Sequence, residues 1–417
     1  MSTGLIPADE LIGLYRRHLG SGRASLASML GGIAEVASEG AWVVTSDNHR
    51  YLDFGGYGVF LLGHRHPRVV AAVRGQLERH PLGTRVFLDP VLAHAAQALA
   101  GIAPSGLTAV HFVNSGAEAT ETGLKLARAH GRSSLITTGN GFHGKTLGAL
   151  SVTANPLYQD RFAPLLPDTT VVPYGRLGPL RDALATRTGR ACVIVEPVQG
   201  EGGVVIPPDG YLRGVAHACR EHDAILIVDE IQTGMGRLGA WWGVDFEDVV
   251  PDVMLVGKGL SGGVVPVAAV VARPDIHAPF GRDPFLHSST FGGSPLACAA
   301  ALAAIETMTD EGTVAQAGRL GERILSGVRQ VCAARGEAIV AEVRGRGLLI
   351  GIKCRRQADV GELVLALIDR GVLVNHSLNA ARVLRLTPPA ILNDEEIDQF
   401  LAVLDEALAS VAAVVHR

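Results

Sequence analysis

The sequence predicts an α/β fold: a large domain with a mainly parallel sheet and helices on both faces, plus a smaller α+β domain drawn from both chain ends. Short apolar runs alternate with helical patterns along most of the chain, the spacing of βα units. Three of those runs, CVIV before Glu196, AILIV before Asp229 and DVMLVG before Lys258, are apolar without alternation, as strands covered on both faces are. The last stretch differs: GLLIGIKC, GVLVN and RVLRLTPP read as strands of a smaller unit. A terminal amphipathic helix follows, opened by Asn393 with Glu396 three residues on as a capping pair. We place the large domain at 61–300 and build the small one from 1–60 and 301–417.

Composition narrows the function. Of 417 residues, 47% are hydrophobic and 19% charged, so a large core can form and disorder is not expected. A net charge of −4 without a basic block argues against nucleic acid or a membrane surface as partner. The five cysteines (Cys192, Cys219, Cys298, Cys332, Cys354) form no C-x-x-C pair, so neither a disulfide framework nor a metal site is expected. MSTGLIPADE lacks the order of a secretory signal, and no apolar run approaches the roughly 20 residues of a membrane span. A cytoplasmic location is the expectation.

Two motifs point elsewhere. Gly139 to Thr146 satisfies the P-loop pattern G-x-x-x-x-G-K-[ST], and ILIVDE could supply a magnesium-binding acid, which makes a P-loop ATPase the rival reading. A P-loop must run straight into a helix, whereas TLGALSVTANP carries glycine, β-branched residues and a proline. Gly234-Met-Gly236-Arg-Leu-Gly239 spells G-x-G-x-x-G but begins several residues after its strand, and GAWWGVDFEDVVPD is no helix with a ribose-binding acid. A turn crowded by backbone is the better reading.

The chemistry centres on Lys258. It follows a buried strand between Gly257 and Gly259, where glycines let a bulky group approach the backbone. A desolvated amine there becomes a nucleophile able to form a Schiff base. A lone lysine in a turn is usually a surface residue, but Asp229 ends the preceding apolar strand and can emerge at the same sheet edge. Its carboxylate can keep a pyridine nitrogen protonated; otherwise it caps its turn. Ser115-Gly116-Ala117-Glu118 reads as a capping box whose helix start can hold an anion. Phe142, beside His143 and Gly144, could stack on a ring, though a lone Phe is ordinarily core. His64 and His66 read as loop residues.

Together these segments resemble the class III aminotransferases, fold-type-I enzymes that use pyridoxal 5′-phosphate (PLP). The resemblance runs from YLDFGGYG near residue 51 to LRLTPP near residue 388 and includes, in order, FVNSGAEATETGLKLARA, GFHGKTLGALSVTA, EPVQGEGG, LIVDEIQTGMGRLG, GKGLSGG, HSSTFGGSPLACAAAL and VRGRGLLIGI. It implies that Lys258 carries PLP as a Schiff base and shuttles a proton, that Asp229 binds the ring nitrogen, and that Gln232 reaches the ring hydroxyl. It further implies Ser115, Gly116 and Ala117 at the phosphate, Phe142 and His143 at the ring, and Thr290 of the partner subunit on the same phosphate, hence a homodimer. Glu201 and Arg385 would be a switchable pair, with Arg385 free to take an α-carboxylate.

Within the family, GGYGVFLLGHRHP, RVFLDP and Lys145 look most like putrescine (diamine) aminotransferases. Acetylornithine enzymes usually place Arg where Lys145 stands, and lysine cannot form a bidentate clamp. Ala117 stands where many relatives have Thr. Tyr57, Val59, Phe60 and Lys145 would then shape an apolar substrate pocket. The expected reaction is ping-pong transamination between a primary (ω-)amine or aldehyde and an amino acid/2-oxo acid pair. An acetylornithine/ornithine-type aminotransferase, or a PLP decarboxylase or racemase of the same family, is the alternative.

Overall fold

The structure is a computed structural model that describes residues 6–415. Its centre is a seven-stranded sheet: β1 (Ala109–Val113), β2 (Ser134–Thr138), β3 (Thr169–Val172), β4 (Ala191–Val195), β5 (Ile225–Asp229), β6 (Val253–Val256) and β7 (Ala268–Ala272). The spatial order is β1-β7-β6-β5-β4-β2-β3. The neighbours from β3 through β6 pair in parallel, and β7 runs antiparallel to both β6 and β1. The mainly parallel sheet is thus as the sequence predicts. The reversed β7 is an addition, because AAVVA is as apolar as its parallel neighbours and carries no mark of direction.

The three unalternating runs are β4, β5 and β6, buried at every position. Helices on both faces remove them from water. Gly116–Ala129 packs on β6 and β7, while Tyr211–Glu221 packs on β5. An alanine-rich helix, Pro295–Asp310, is buried along most of its length between Pro67–Arg79 and Pro90–Ile102. Alanines allow this close packing because they present almost no side-chain volume and cost no rotamer entropy. The domain boundary expected at 300 falls inside this unbroken helix.

Two smaller sheets come from the chain ends. Glu35–Glu39, Trp42–Thr45 and Arg50–Asp53 pair in sequence, and Val372–Leu373 adds to Arg50–Asp53 in parallel. Val340–Arg346, Leu349–Cys354, Ala380–Leu386 and Asn375–Ser377 form an antiparallel sheet. The terminal helix Asp394–Val415 opens as predicted: Glu396 N–H donates to Asn393 Oδ1 (2.8 Å) and Asn393 N–H to Glu396 Oε2 (3.0 Å). Phe400 on this helix stacks on Phe54 at 3.8 Å, joining the two chain ends through the core. Among the described residues, no helix is long and apolar enough to cross a membrane.

Candidate active site

Register places the chemistry. Val195 of β4 lies beside Val228 of β5, and Asp229 beside Leu255 of β6, so Glu196, Asp229 and Lys258 emerge together at the carboxyl edge of the sheet. That edge is where open α/β sheets hold ligands. A cavity of about 280 Å³ opens there, lined by Gly116, Ala117, Phe142, His143, Gly144, Glu196, Asp229, Ile231, Gln232, Thr233 and Lys258. All eleven lie at or just beyond the carboxyl ends of β1, β2, β4, β5 and β6, so strand order gathers distant segments at one opening.

Lys258 has φ +44, a left-handed conformation that costs a non-glycine residue of order 1–2 kcal/mol. The strain persists because β6 fixes the approach and Gly262, at φ +61, closes the turn that follows. Burial lowers the lysine pKa. The nearby Glu201 carboxylate opposes the shift and Arg385 reinforces it.

Asp229 is buried, and its Oδ2 lies 2.7 Å from His143 Nδ1 while its Oδ1 accepts the Ile231 N–H at 3.0 Å. Burial disfavours the imidazolium, yet the hydrogen bond and charge of Asp229 outweigh it and raise the His143 pKa. The other ring nitrogen, Nε2, is buried without a partner. Glu196 accepts the Phe142 N–H at 3.1 Å, and burial pushes its pKa up to about 7.

At the opposite wall, the Gly116–Ala129 helix presents its N-terminus. Ser115 Oγ accepts the Glu118 N–H at 3.3 Å, but the return bond of the expected capping box is displaced by one residue: Glu118 accepts from the Asn114 N–H at 2.6 Å. Ser115 is exposed and does not line the cavity. Gly116 packs closely on Ile231, since a Cβ there would stand 2.9 Å from Ile231 Cδ1 and the isoleucine would have to shift. Gly144, at φ +117, passes so close to Ala117 that a Cβ would lie 2.7 Å from the alanine methyl.

Gln232 reaches the cavity with its buried Nε2 unpartnered, held against Gly200, where any Cβ would overlap the amide. An aromatic face in Phe142, a buried carboxylate in Asp229, a helix N-terminus at Gly116 and Ala117, a desolvated amine in Lys258 and an unpaired amide in Gln232 match the parts of PLP one by one.

Glu201 and Arg385 form an ion pair, with Arg385 buried and its Nε and Nη2 lacking partners. Val59 lines a second hollow of about 350 Å³ on the other side of Lys258. Tyr57 is exposed at φ +50. The Phe60 ring stacks on His64 at 3.8 Å and packs against Gly263, and it does not line the cavity of about 280 Å³. His64 is a buried loop residue bonded to Asp53 at 2.9 Å, and Asp53 also accepts the Gly55 and Gly56 N–H groups. The Lys145 ammonium lies 3.8 Å from the Tyr158 ring centroid and 5.8 Å from that of Phe142. Thr290 is exposed and does not line the cavity of its own chain.

Sequence reading missed two groups. Arg237, fully buried, donates to the carbonyls of Gly58, Leu348 and Pro388, tying three segments behind the site. Asn379 bonds both Asn140 and Gly141 carbonyls. Neither carried a local signal, since an arginine in a glycine-rich turn and an asparagine in a loop are ordinary surface residues. The two competing motifs resolve as turns. A helix of six residues, Leu147–Val152, does follow Thr146 but is too short for a P-loop helix, and a Cβ on Gly239 would meet Gly318 Cα at 2.8 Å.

Comparison with known proteins agrees with this geometry. Residues 28–408 match the family Aminotransferase class-III. An ornithine aminotransferase from Toxoplasma gondii ME49 is 33% identical, with 98% of this chain and 97% of that chain covered and a TM-score of 0.91. Another structure of the Toxoplasma gondii ornithine aminotransferase, reported with partial occupancy of PLP at its active site, is 33% identical over 97% of this chain and 99% of that one, with a TM-score of 0.88. A thermostable (S)-enantioselective omega-transaminase from Thermomicrobium roseum is 28% identical, with 98% and 99% covered and a TM-score of 0.90. The nucleotide-binding reading is thereby displaced, and the chain belongs to the class III aminotransferases, whose cofactor is pyridoxal 5′-phosphate.

Proposed function

We propose that this aminotransferase exchanges an amino group between a primary (ω-)amine or aldehyde and an amino acid/2-oxo acid pair, with Lys258 as the reacting lysine. The observation that carries the reading is that Lys258 shares one cavity with Asp229 and the Gly116 helix start and lies close enough to the Glu201–Arg385 pair to feel both charges. PLP, when bound, supplies an electron sink and an aldehyde carbon for amine exchange. Asp229 would hold a proton on the ring nitrogen, with His143 fixing the carboxylate. Gly116 and Ala117 would donate backbone N–H groups to the phosphate, and Phe142 would cover one ring face. Gln232 would donate its free amide to the ring hydroxyl. The lowered pKa of Lys258 favours the neutral amine, which would hold the cofactor and would take up and give back a proton at its Nζ.

Arg385 can receive a substrate carboxylate once Glu201 swings aside, and with Glu201 in place the same position presents no net charge to an uncharged alkyl chain. Two substrate classes are then served by one site. Lys145, engaged with the Tyr158 ring, offers no bidentate clamp for a second carboxylate, which favours a simple amine, the diamine type among them, over an N-acetylornithine-like substrate. We further propose a homodimer. Phe285 and Phe291 are exposed near Thr290 in sequence, and so are Val86, Phe87 and Leu88, a stretch that Arg85 ties to the Gly292 carbonyl; together they are what an apolar surface covered by a second copy would be. Thr290 would then reach the phosphate of the partner's site.

The test is a visible spectrum before and after borohydride reduction, beside Lys258→Ala. A yellow band that reduction fixes to the wild type but not to the variant supports the assignment. A colourless protein that PLP cannot reconstitute sinks it. An amine screen with 2-oxoglutarate or pyruvate then ranks substrates, and strong preference for N-acetylornithine would overturn the amine reading alone.

A further inference from the structure

Glu201 is held from two directions. One carboxylate oxygen pairs with Arg385, while Oε2 accepts the Leu378 N–H at 2.9 Å and the Glu201 carbonyl accepts the Asn379 N–H at 2.9 Å. The turn that supplies these donors is itself fastened. Ser377 Oγ donates to Gly200 O at 3.2 Å and the Tyr158 hydroxyl donates to Leu378 O at 3.1 Å. The Asn379 amide is fully used: Nδ2 donates to Asn140 O (3.0 Å) and Gly141 O (3.1 Å), and Oδ1 accepts from Asn155 Nδ2 (3.0 Å). Two carbonyls on one side and an amide donor on the other admit only one orientation of the side chain.

We propose that the turn Ser377–Asn379 is a latch that keeps Glu201 on Arg385, and that Asn379 is the positioning residue that sets how readily the pair opens. The inference rests on the reading of Arg385 as the carboxylate receptor and adds what controls its availability. The physical argument is one of populations. The Leu378 N–H bond exists only while Glu201 is in its paired position, so it stabilises the closed state and not the open one. Asn379 touches neither Glu201's carboxylate nor Arg385. It anchors the donor turn to the loop that carries Phe142, so the gate carboxylate and the ring-covering aromatic share one support. Weakening the anchor shifts the pair toward opening, and a ligand that binds only the open state gains that difference. An amine that uses the closed state loses only what the closed population loses, which is little while that state predominates.

The experiment uses the PLP-loaded enzyme and glutarate, a dicarboxylate with no amino group, followed by calorimetric titration, together with steady-state kinetics on a primary monoamine. In Asn379→Ala, glutarate is expected to bind about fivefold more tightly, the worth of one hydrogen bond. The amine KM rises only slightly, because the closed state still predominates, and kcat stays within about twofold. Asn379→Asp keeps the shape but sets a carboxylate against two carbonyl oxygens, so its shift is larger than that of alanine. Tyr158→Phe removes only the hydroxyl bond to Leu378 and tightens glutarate binding by a smaller factor, which decides the matter should the Asn379 variants not fold. Unchanged glutarate affinity in these variants, or loss of glutarate and amine binding together, overturns the latch. If wild type and Arg385→Ala bind glutarate equally, Arg385 is not the receptor, and the latch falls with that reading. If glutarate binding depends on Arg385 but ignores Asn379 and Tyr158, the latch alone falls.

Discussion

His143 Nδ1 stands 2.7 Å from Asp229 Oδ2, and both side chains are buried at the floor of the cavity. The residues are 86 positions apart, on loops after β2 and β5, so neither local sequence contains the other. That hydrogen bond fixes where the carboxylate stands, as a group that is to hold a pyridine nitrogen must be fixed.

Replacing His143 by Phe removes that support. The expected outcome is a loss of roughly 3 kcal/mol or more in stability near pH 6, since one half of a buried pair is left alone. Because the folded His143 pKa is raised, its contribution is fully present below the unfolded value near 6.5 and is lost as pH rises through the folded value. The gap between the unfolding midpoints of wild type and variant should therefore narrow on the alkaline side; a constant gap would show that the pair's protonation does not matter.

Glu196 behaves as a carboxyl raised to about 7 by burial. A raised carboxyl stabilises the fold below its unfolded pKa near 4.3, and this is lost as pH rises through 7. Glu196→Gln keeps an acceptor for the Phe142 N–H but carries no charge. It should leave the melting temperature nearly unchanged near pH 4 and raise it by a growing amount as pH rises to 7, levelling off above, as read by scanning fluorimetry from pH 4 to 8.5.

Gly144→Ala introduces a methyl 2.7 Å from Ala117 in a backbone at φ +117. Both effects act on the wall assigned to the phosphate. We expect about 2–3 kcal/mol of lost stability and weaker PLP retention on dialysis. Retention equal to wild type would mean that the contact relaxes without moving the helix start.

Glu201→Gln leaves Arg385 buried with no opposing charge. A loss of about 3 kcal/mol is expected, recovered on adding glutarate, which can replace the missing carboxylate. A variant as stable as wild type and indifferent to glutarate would remove the case for a switchable pair.

The sequence by itself determined the sheet and the edge where the chemistry lies. Unalternating apolar runs can only be strands covered on both faces, and the polar residues that end them, Glu196, Asp229 and Lys258, must leave the sheet at its carboxyl edge. The Asn393–Glu396 cap was equally legible, because its donors and acceptors are three residues apart. Only the tertiary structure decided what those residues touch. It reversed β7, turned Phe60 onto His64, moved the Glu118 bond from Ser115 to Asn114, brought His143 to Asp229, and laid the Ser377–Asn379 turn on Glu201, 177 residues away from Leu378. The reason is that periodicity and capping are encoded within a few residues, whereas a buried hydrogen bond between distant loops is set by strand order and by which side chains fill the remaining space.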